Sequence, residues 1–189
     1  AAFISTIDEK VGVVMKALEK TKKRDSTVIL YQSDHGHSCE ERAFWGGGNA
    51  GPYRGCKFSL FEGGIRVPAL LSYPPVVPAG EVRDQAAISM DWLPTLADIL
   101  QIEIQERLDG VSLMPIVRNA SMPSQHKTLY WQFGDYDDAT AQWAVREGSW
   151  KLLGNPKEPS DGNNNFLEDS LFLSNLETDP SESENLAAR

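Results

Sequence analysis

The chain has 189 residues, 41% hydrophobic and 24% charged, and carries a formal net charge of −9. A chain of this length can bury a sizeable core, and its composition is that of a globular domain. The acidic balance speaks against a nucleic-acid backbone as partner, while leaving room for a local cationic pocket that takes a small anion. No apolar run approaches the roughly 20 residues that a membrane-spanning helix needs, and no signal-peptide pattern opens the chain.

In chain order, residues 3–20 place Ile4, Ile7, Val11, Val14 and Leu18 on one helical face. The expectation is an amphipathic helix that covers a sheet, with the chain opening inside it as a continuation of a longer protein. Lys22-Lys23-Arg24-Asp25 is a polar turn, and Thr27 to Gln32 is a short, β-branched apolar run that reads as a buried strand. Helix, turn and buried strand make half of a parallel α/β unit. Residues 65–73 read as a second strand, ended by Pro74, Pro75 and Pro78. A packing helix is expected over 86–100, with Pro94 in its first turn and Ser89 or Asp91 as its cap. Asp109-Gly110 is a turn leading to the apolar segment 113–117.

Beyond residue 119 the pattern changes. Short apolar runs at 128–133, 142–146, 149–153 and 170–174 predict a small antiparallel sheet. Residues 155–169 read as an exposed loop, and Asp179-Pro180-Ser181-Glu182 as a turn into a short terminal helix. The expected fold class is therefore α/β. Residues 1–118 form part of a larger α/β domain, and 119–189 a small antiparallel β subdomain with a terminal helix.

The chemistry collects at the end of the first strand. There Ser33-Asp34-His35-Gly36-His37 replaces the apolar run, and α/β sheets bind ligands just beyond the carboxyl ends of their strands. Asp34 and His35 suit a divalent cation, but an aspartate capping a turn beside a hydrogen-bonded histidine is an equally ordinary reading. Downstream, Gly46-Gly47-Gly48-Asn49-Ala50-Gly51 leads to a lone cation, Lys57, and then to Glu62-Gly63-Gly64. Glycines on both sides let backbone approach a ligand near Lys57; the alternative is a surface lysine. Cys39 and Cys56 are either one disulfide or two free thiols, with no zinc spacing. Asn119-Ala120-Ser121 is a formal glycosylation sequon.

Ser-Asp-His-Gly after a strand, followed by Arg54-Gly55-Cys56-Lys57-Phe58-Ser59-Leu60-Phe61-Glu62-Gly63-Gly64-Ile65-Arg66-Val67-Pro68, resembles the sulfatase family of the alkaline-phosphatase superfamily. Asp109-Gly110-Val111-Ser112-Leu113, Trp143 to Leu152 and Leu176-Glu177-Thr178-Asp179-Pro180 extend the resemblance along the chain. It implies an alkaline-phosphatase-like sheet and hydrolysis of sulfate esters. It implies Asp34 and His35 as metal ligands, and Lys57 as the catalytic cation that contacts the sulfate; His37 either lines the substrate pocket or only bonds to a loop. Arg54 and Glu62 would brace the loop as ion pairs, and Arg66 is structural. The implied metal is calcium; imidazole at His35 suits manganese or zinc better. The same histidine keeps a phosphonate or phosphate ester hydrolase of the same superfamily in view, and a non-catalytic module that kept the fold and lost the nucleophile is a further alternative.

The family's formylglycine nucleophile arises from a Cys- or Ser-x-Pro-x-Arg motif, which these 189 residues do not contain. Cys39-Glu40-Glu41-Arg42 lacks the proline, and Ser121-Met122-Pro123-Ser124-Gln125 ends in glutamine. The resemblance thus makes the chain the carboxy-terminal part of a sulfatase, inactive alone. Its expected partners are the amino-terminal part of the same protein and a sulfate-ester substrate. Periplasmic, secreted or lysosomal location is expected on the same ground.

Overall fold

The computed structural model describes residues 2–44, 46–135, 140–159 and 165–187. The elements in order are α1 (Ala2–Lys20), β1 (Ile29–Gln32), α2 (Glu62–Ile65), β2 (Ala69–Ser72), α3 (Trp92–Leu100) and α4 (Met114–Arg118), then β3 (Thr128–Phe133), β4 (Gln142–Glu147), β5 (Trp150–Gly154), β6 (Lys157–Glu158), β7 (Asn165–Phe166) and β8 (Leu171–Asn175). They divide into two compact units, one of residues 1–31 with 69–125 and one of residues 32–68 with 126–189.

In the first unit, β1 and β2 form a two-stranded sheet. Arg24, in the turn after α1, donates to the Ser72 hydroxyl at the end of β2. Asp91 and Thr95 pin the start of α3. The Asp91 carboxylate accepts from the backbone N–H of Ile88 and of Val111, each at 2.9 Å. The Thr95 hydroxyl donates to the Asp91 carbonyl at 2.6 Å and accepts from the Leu113 N–H at 2.9 Å. Both side chains are buried, and both spend their polar atoms on backbone groups that would otherwise be orphaned. Arg83 does the same at the C-terminus of α4, donating to the carbonyls of Ile116 at 2.6 Å and Val117 at 2.7 Å.

Two expectations for this unit are corrected. The apolar face of α1 covers no sheet among the described residues. None of the helix is buried, and Ile4 is 71% exposed. β1 is half-buried and not buried throughout, with Tyr31 open to solvent. The physical reason is shared: a two-stranded sheet offers one neighbour and little cover, and an apolar run is buried only where something packs on it.

The second unit has a closed core. β3, β4, β5 and β8 pair antiparallel in that order, as the four short apolar runs predicted. Register lines up Trp131, Ala144, Leu153 and Phe172 across the four strands. Leu60 and Phe61 pack on this row, with Phe61 edge-on to Phe172 at 5.2 Å between centroids. Side chains two residues apart share a face, so the same face carries Arg146, Lys151 and Ser174, aligned with one another one step along the strands.

The second strand expected over 65–73 is shorter. Residues 62–65 make the helical turn α2, and Pro68, without an N–H, precedes a strand of only four residues. The expected terminal helix is absent among the described residues, which after β8 form turns as far as Ala187. The Asp179 carboxylate takes the N–H groups of Ser183 at 2.8 Å and Glu184 at 3.0 Å, and accepts from the hydroxyls of Ser181 and Ser183. Side-chain bonding of this kind replaces helical bonding, and it sends Glu182 inward. Part of the loop expected over 155–169 is instead a short hairpin, β6 with β7; residues 160–164 lie outside the described residues.

Candidate active site

The site residues read from the sequence lie on two loops of the second unit, 33–40 and 54–64. Glycine brings these loops together. A Cβ on Gly36 would meet the Gly63 carbonyl oxygen at 1.9 Å, one on Gly63 the Gly55 oxygen at 2.3 Å, and one on Gly64 the Ser59 oxygen at 2.1 Å. Only glycine permits backbone to approach this closely. Gly36 N–H then donates to the Gly64 carbonyl at 2.8 Å, and Lys57 N–H to the His37 carbonyl at 2.9 Å.

A buried ion cluster fixes the second loop. Glu62, 2% exposed, accepts from Lys151 Nζ at 2.9 Å; Glu182 Oε1 lies 3.1 Å from the same ammonium. Glu62 N–H donates to Glu182 Oε2 at 2.6 Å. Arg66 and Arg146 approach the other Glu62 oxygen at 3.3 Å and 3.6 Å. Burial alone pushes the Glu62 carboxyl up, but Lys151 and then Arg146 and Arg66 outweigh it and hold it below the usual range. Glu182 goes the other way: burial, with the charge of Glu62 added to it, raises its carboxyl against the pull of Lys151. Arg54 pairs with Glu158 at 2.6 Å and lies 4.3 Å over the Phe61 ring. Arg54 and Glu62 are thus ion-paired braces, as expected of them. The network around Lys151 was not expected: the structure exposes Trp150 and buries Lys151, the reverse of what their polarity suggests.

Asp34 and His35 sit immediately after β1. The Asp34 carboxylate accepts from its neighbour's N–H at 3.0 Å, and its other oxygen lies 3.0 Å from His35 Nε2. His35 Nδ1 is 2.8 Å from the Gly36 carbonyl, which orients the ring. The Asp34 side chain is 81% exposed, so its lone pairs are open to a ligand from solvent. A carboxylate and an imidazole side by side fit part of a divalent metal's coordination sphere. They do not fill one, since calcium takes about six to eight oxygens, and no group of three or more ligating side chains occurs among the described residues.

Lys57 is not brought to Asp34 by any bond. Its ammonium donates to Glu40 Oε2 at 2.9 Å, both side chains being about four-fifths buried at 19% and 23% exposure, and lies 4.8 Å from the Phe58 ring centroid. Glu40 was missed in the sequence, where nothing distinguishes it from Glu41. His37 Nδ1 is buried and has no hydrogen-bond partner among the described residues, while its Nε2 lies 3.5 Å from Cys39 Sγ. Cys39 and Cys56 are both free thiols.

Comparison with known proteins decides the family. The family model described as Sulfatase matches residues 1–102, and that described as N-sulphoglucosamine sulphohydrolase, C-terminal, matches residues 55–189. The chain belongs to the sulfatase family. Over 189 residues this sulfatase chain is 34% identical to choline-sulfatase of Rhizobium meliloti (strain 1021), covering 98% of itself and 32% of that relative. It is 33% identical to human steryl-sulfatase, covering 79% of itself and 27% of that protein. The sulfatase chain therefore spans about a third or less of the length of these curated relatives. Among solved structures, Ps i-CgsB in complex with k-i-k-neocarrahexaose superposes with a TM-score of 0.78 at 27% identity, over 98% of this chain and 38% of that one. The fold is that of the alkaline-phosphatase-like sulfatases.

Proposed function

We propose that the protein to which this chain belongs hydrolyses sulfate esters, and that this chain supplies the sulfate-contacting cation and two metal ligands. The observation that carries the reading is the match to sulfatases along the whole chain, combined with a Lys57 ammonium held at the junction of the two glycine-tied loops. Lys57 has three N–H donors, one of which goes to Glu40. A second, directed at a sulfate oxygen, would stabilise the charge that grows there as the ester bond breaks. His37, with a buried and unpartnered Nδ1, would line the pocket and donate to or accept from the substrate.

Asp34 and His35 would hold a divalent ion, calcium as the first choice and manganese or zinc as the alternatives that imidazole favours. Such an ion, when bound, polarises sulfate oxygens as a Lewis acid. The nucleophile, a formylglycine in this reading, is contributed from outside these residues, as are the remaining metal carboxylates. Residues 1–118 and 119–189 are assigned to the catalytic domain and the small carboxy-terminal subdomain. A periplasmic, secreted or lysosomal location goes with this assignment, and residues 1–189 alone are not expected to turn over.

The experiment is turnover of an aryl sulfate by the full-length protein, beside the corresponding aryl phosphonate monoester and phosphate monoester. The reading expects the sulfate to have the highest kcat/KM. A higher value for the phosphonate or the phosphate would transfer the assignment to the sister hydrolases that His35 brings to mind. No turnover of any of the three, with metal bound, would make this a non-catalytic member.

A further inference from the structure

The Lys57 ammonium donates to an acid, Glu40, and that acid is itself anchored. Glu40 Oε2 accepts from Lys57 Nζ at 2.9 Å and from Ser38 Oγ at 3.0 Å, and Glu40 Oε1 accepts from Arg42 Nε at 2.6 Å. Three donors fix the carboxylate, so it does not swing away when a ligand arrives. The hydrogen bond from Arg42, and after it that from Lys57, lowers the Glu40 carboxyl to about 2. It is therefore ionised at any pH at which an esterase is assayed. An anion approaching Lys57 meets a cation with a fixed negative charge 2.9 Å from it; Arg42, on the other oxygen of that carboxylate, is 72% exposed and screened by water.

We propose that Glu40 is a specificity-determining residue, whose carboxylate offsets the charge of Lys57 and thereby favours singly charged ester groups over doubly charged ones. Coulomb energy scales with the product of the charges. The repulsion from Glu40 therefore acts twice as strongly on a dianion as on a monoanion at the same place. A sulfate ester carries one negative charge on the group to be transferred. A phosphate monoester carries close to two above a second ionisation near pH 6. A lone lysine would prefer the dianion; a lysine backed by a carboxylate keeps its hydrogen-bond donors while giving up that preference.

The inference rests on the reading of Lys57 as the sulfate-contacting cation, and the test separates the two. Benzenesulfonate, a monoanion, and phenyl phosphate, a dianion at pH 8, are compared as inhibitors of aryl sulfate turnover by the full-length protein. Glu40→Gln keeps the shape and removes the charge. It should tighten phenyl phosphate about tenfold and benzenesulfonate about threefold, the logarithms standing near two to one. Glu40→Asp retains the charge and should keep the wild-type ratio of the two constants. A purely structural Glu40 would weaken both inhibitors or leave their ratio unchanged in Glu40→Gln, and either result overturns the proposal. Lys57→Ala should weaken both, the dianion more. If it alters neither inhibition constant nor turnover, the Lys57 reading itself fails and the proposal goes with it. If Lys57→Ala weakens both but Glu40→Gln leaves their ratio fixed, only the proposal fails.

Discussion

The second unit contains two acid–lysine clusters built from the same residue types, and they differ in what encloses them. Around Lys151, two carboxylates and an ammonium are sealed between a helical turn, a strand and the last turn of the chain, with exposures of 0 to 2%. Around Lys57, one carboxylate and one ammonium are 19 to 23% exposed on a glycine-tied loop. The first cluster is closed to solvent at 0 to 2% exposure and offers a ligand no path. The second retains two ammonium hydrogens and faces solvent. Buried charge of the first kind holds a fold in one arrangement, while charge of the second kind is available for recognition. Mutations should therefore separate along that line: stability from the first, chemistry from the second.

The largest stability effect should come from Lys151→Met in the full-length protein. Removing the cation leaves Glu182 buried without its ammonium and Glu62 with only Arg66 and Arg146, a change that costs about 3–5 kcal/mol. A thermal melt should show either a drop of many degrees or loss of soluble protein. A melt near the wild-type value would mean that water or Arg146 replaces Lys151, and the contrast between the clusters would weaken. Next comes Gly36→Ala. Its Cβ would stand 1.9 Å from the Gly63 oxygen, so the two loops must separate at a cost of about 1–3 kcal/mol, the range for overpacking. Because those loops carry Asp34 and Lys57, kcat/KM should fall by more than the melting temperature suggests.

Asp34→Ala should leave folding intact, since that side chain is 81% exposed, and should remove most of the bound metal. Elemental analysis of the purified full-length variant reads this directly. Unchanged metal content would take Asp34 out of the coordination sphere. The smallest effect is the pH dependence of Glu182. Its carboxyl is raised in the fold, so the stability it contributes is complete below its unfolded value and is lost as pH rises through the folded one. Glu182→Gln abolishes that loss, so the variant's stability relative to wild type should climb with pH in this window, by at most about 1.4 kcal/mol per pH unit. Glu62, lowered in the fold, acts in the opposite sense and loses its contribution as pH falls. A relative stability that declines with rising pH would reverse the assignment of the two carboxylates.

Much of the sheet was legible because short apolar runs separated by polar loops survive in sequence. The four runs that became β3, β4, β5 and β8 announced themselves, and so did α3 with its early proline. The α1 face was equally plain, yet its burial was not, because amphipathicity says that a face can be covered and not that it is. The terminal helix failed for a local reason: Asp179 takes the backbone donors that a helix would have used. At the site, Asp34 and His35 stood out where the apolar first strand stops, and Lys57 through the glycines on either side of it. Glu40 did not, since pairing across seventeen positions leaves no periodic trace. Glu182, whose partner lies on β5, was hidden in the same way.

The most direct measurement is the kinetics of Lys57→Ala in the full-length protein, with an aryl sulfate as substrate and a melting curve as companion. The account predicts a fall in kcat/KM of about 10²–10³, the size expected on losing one donor to developing charge. The melting temperature should fall by no more than a few degrees, as befits a single ion pair that keeps contact with solvent at 19 to 23% exposure. Wild-type turnover in a well-folded Lys57→Ala protein would contradict the account, because the cation at the centre of the proposed site would then contribute nothing to the reaction.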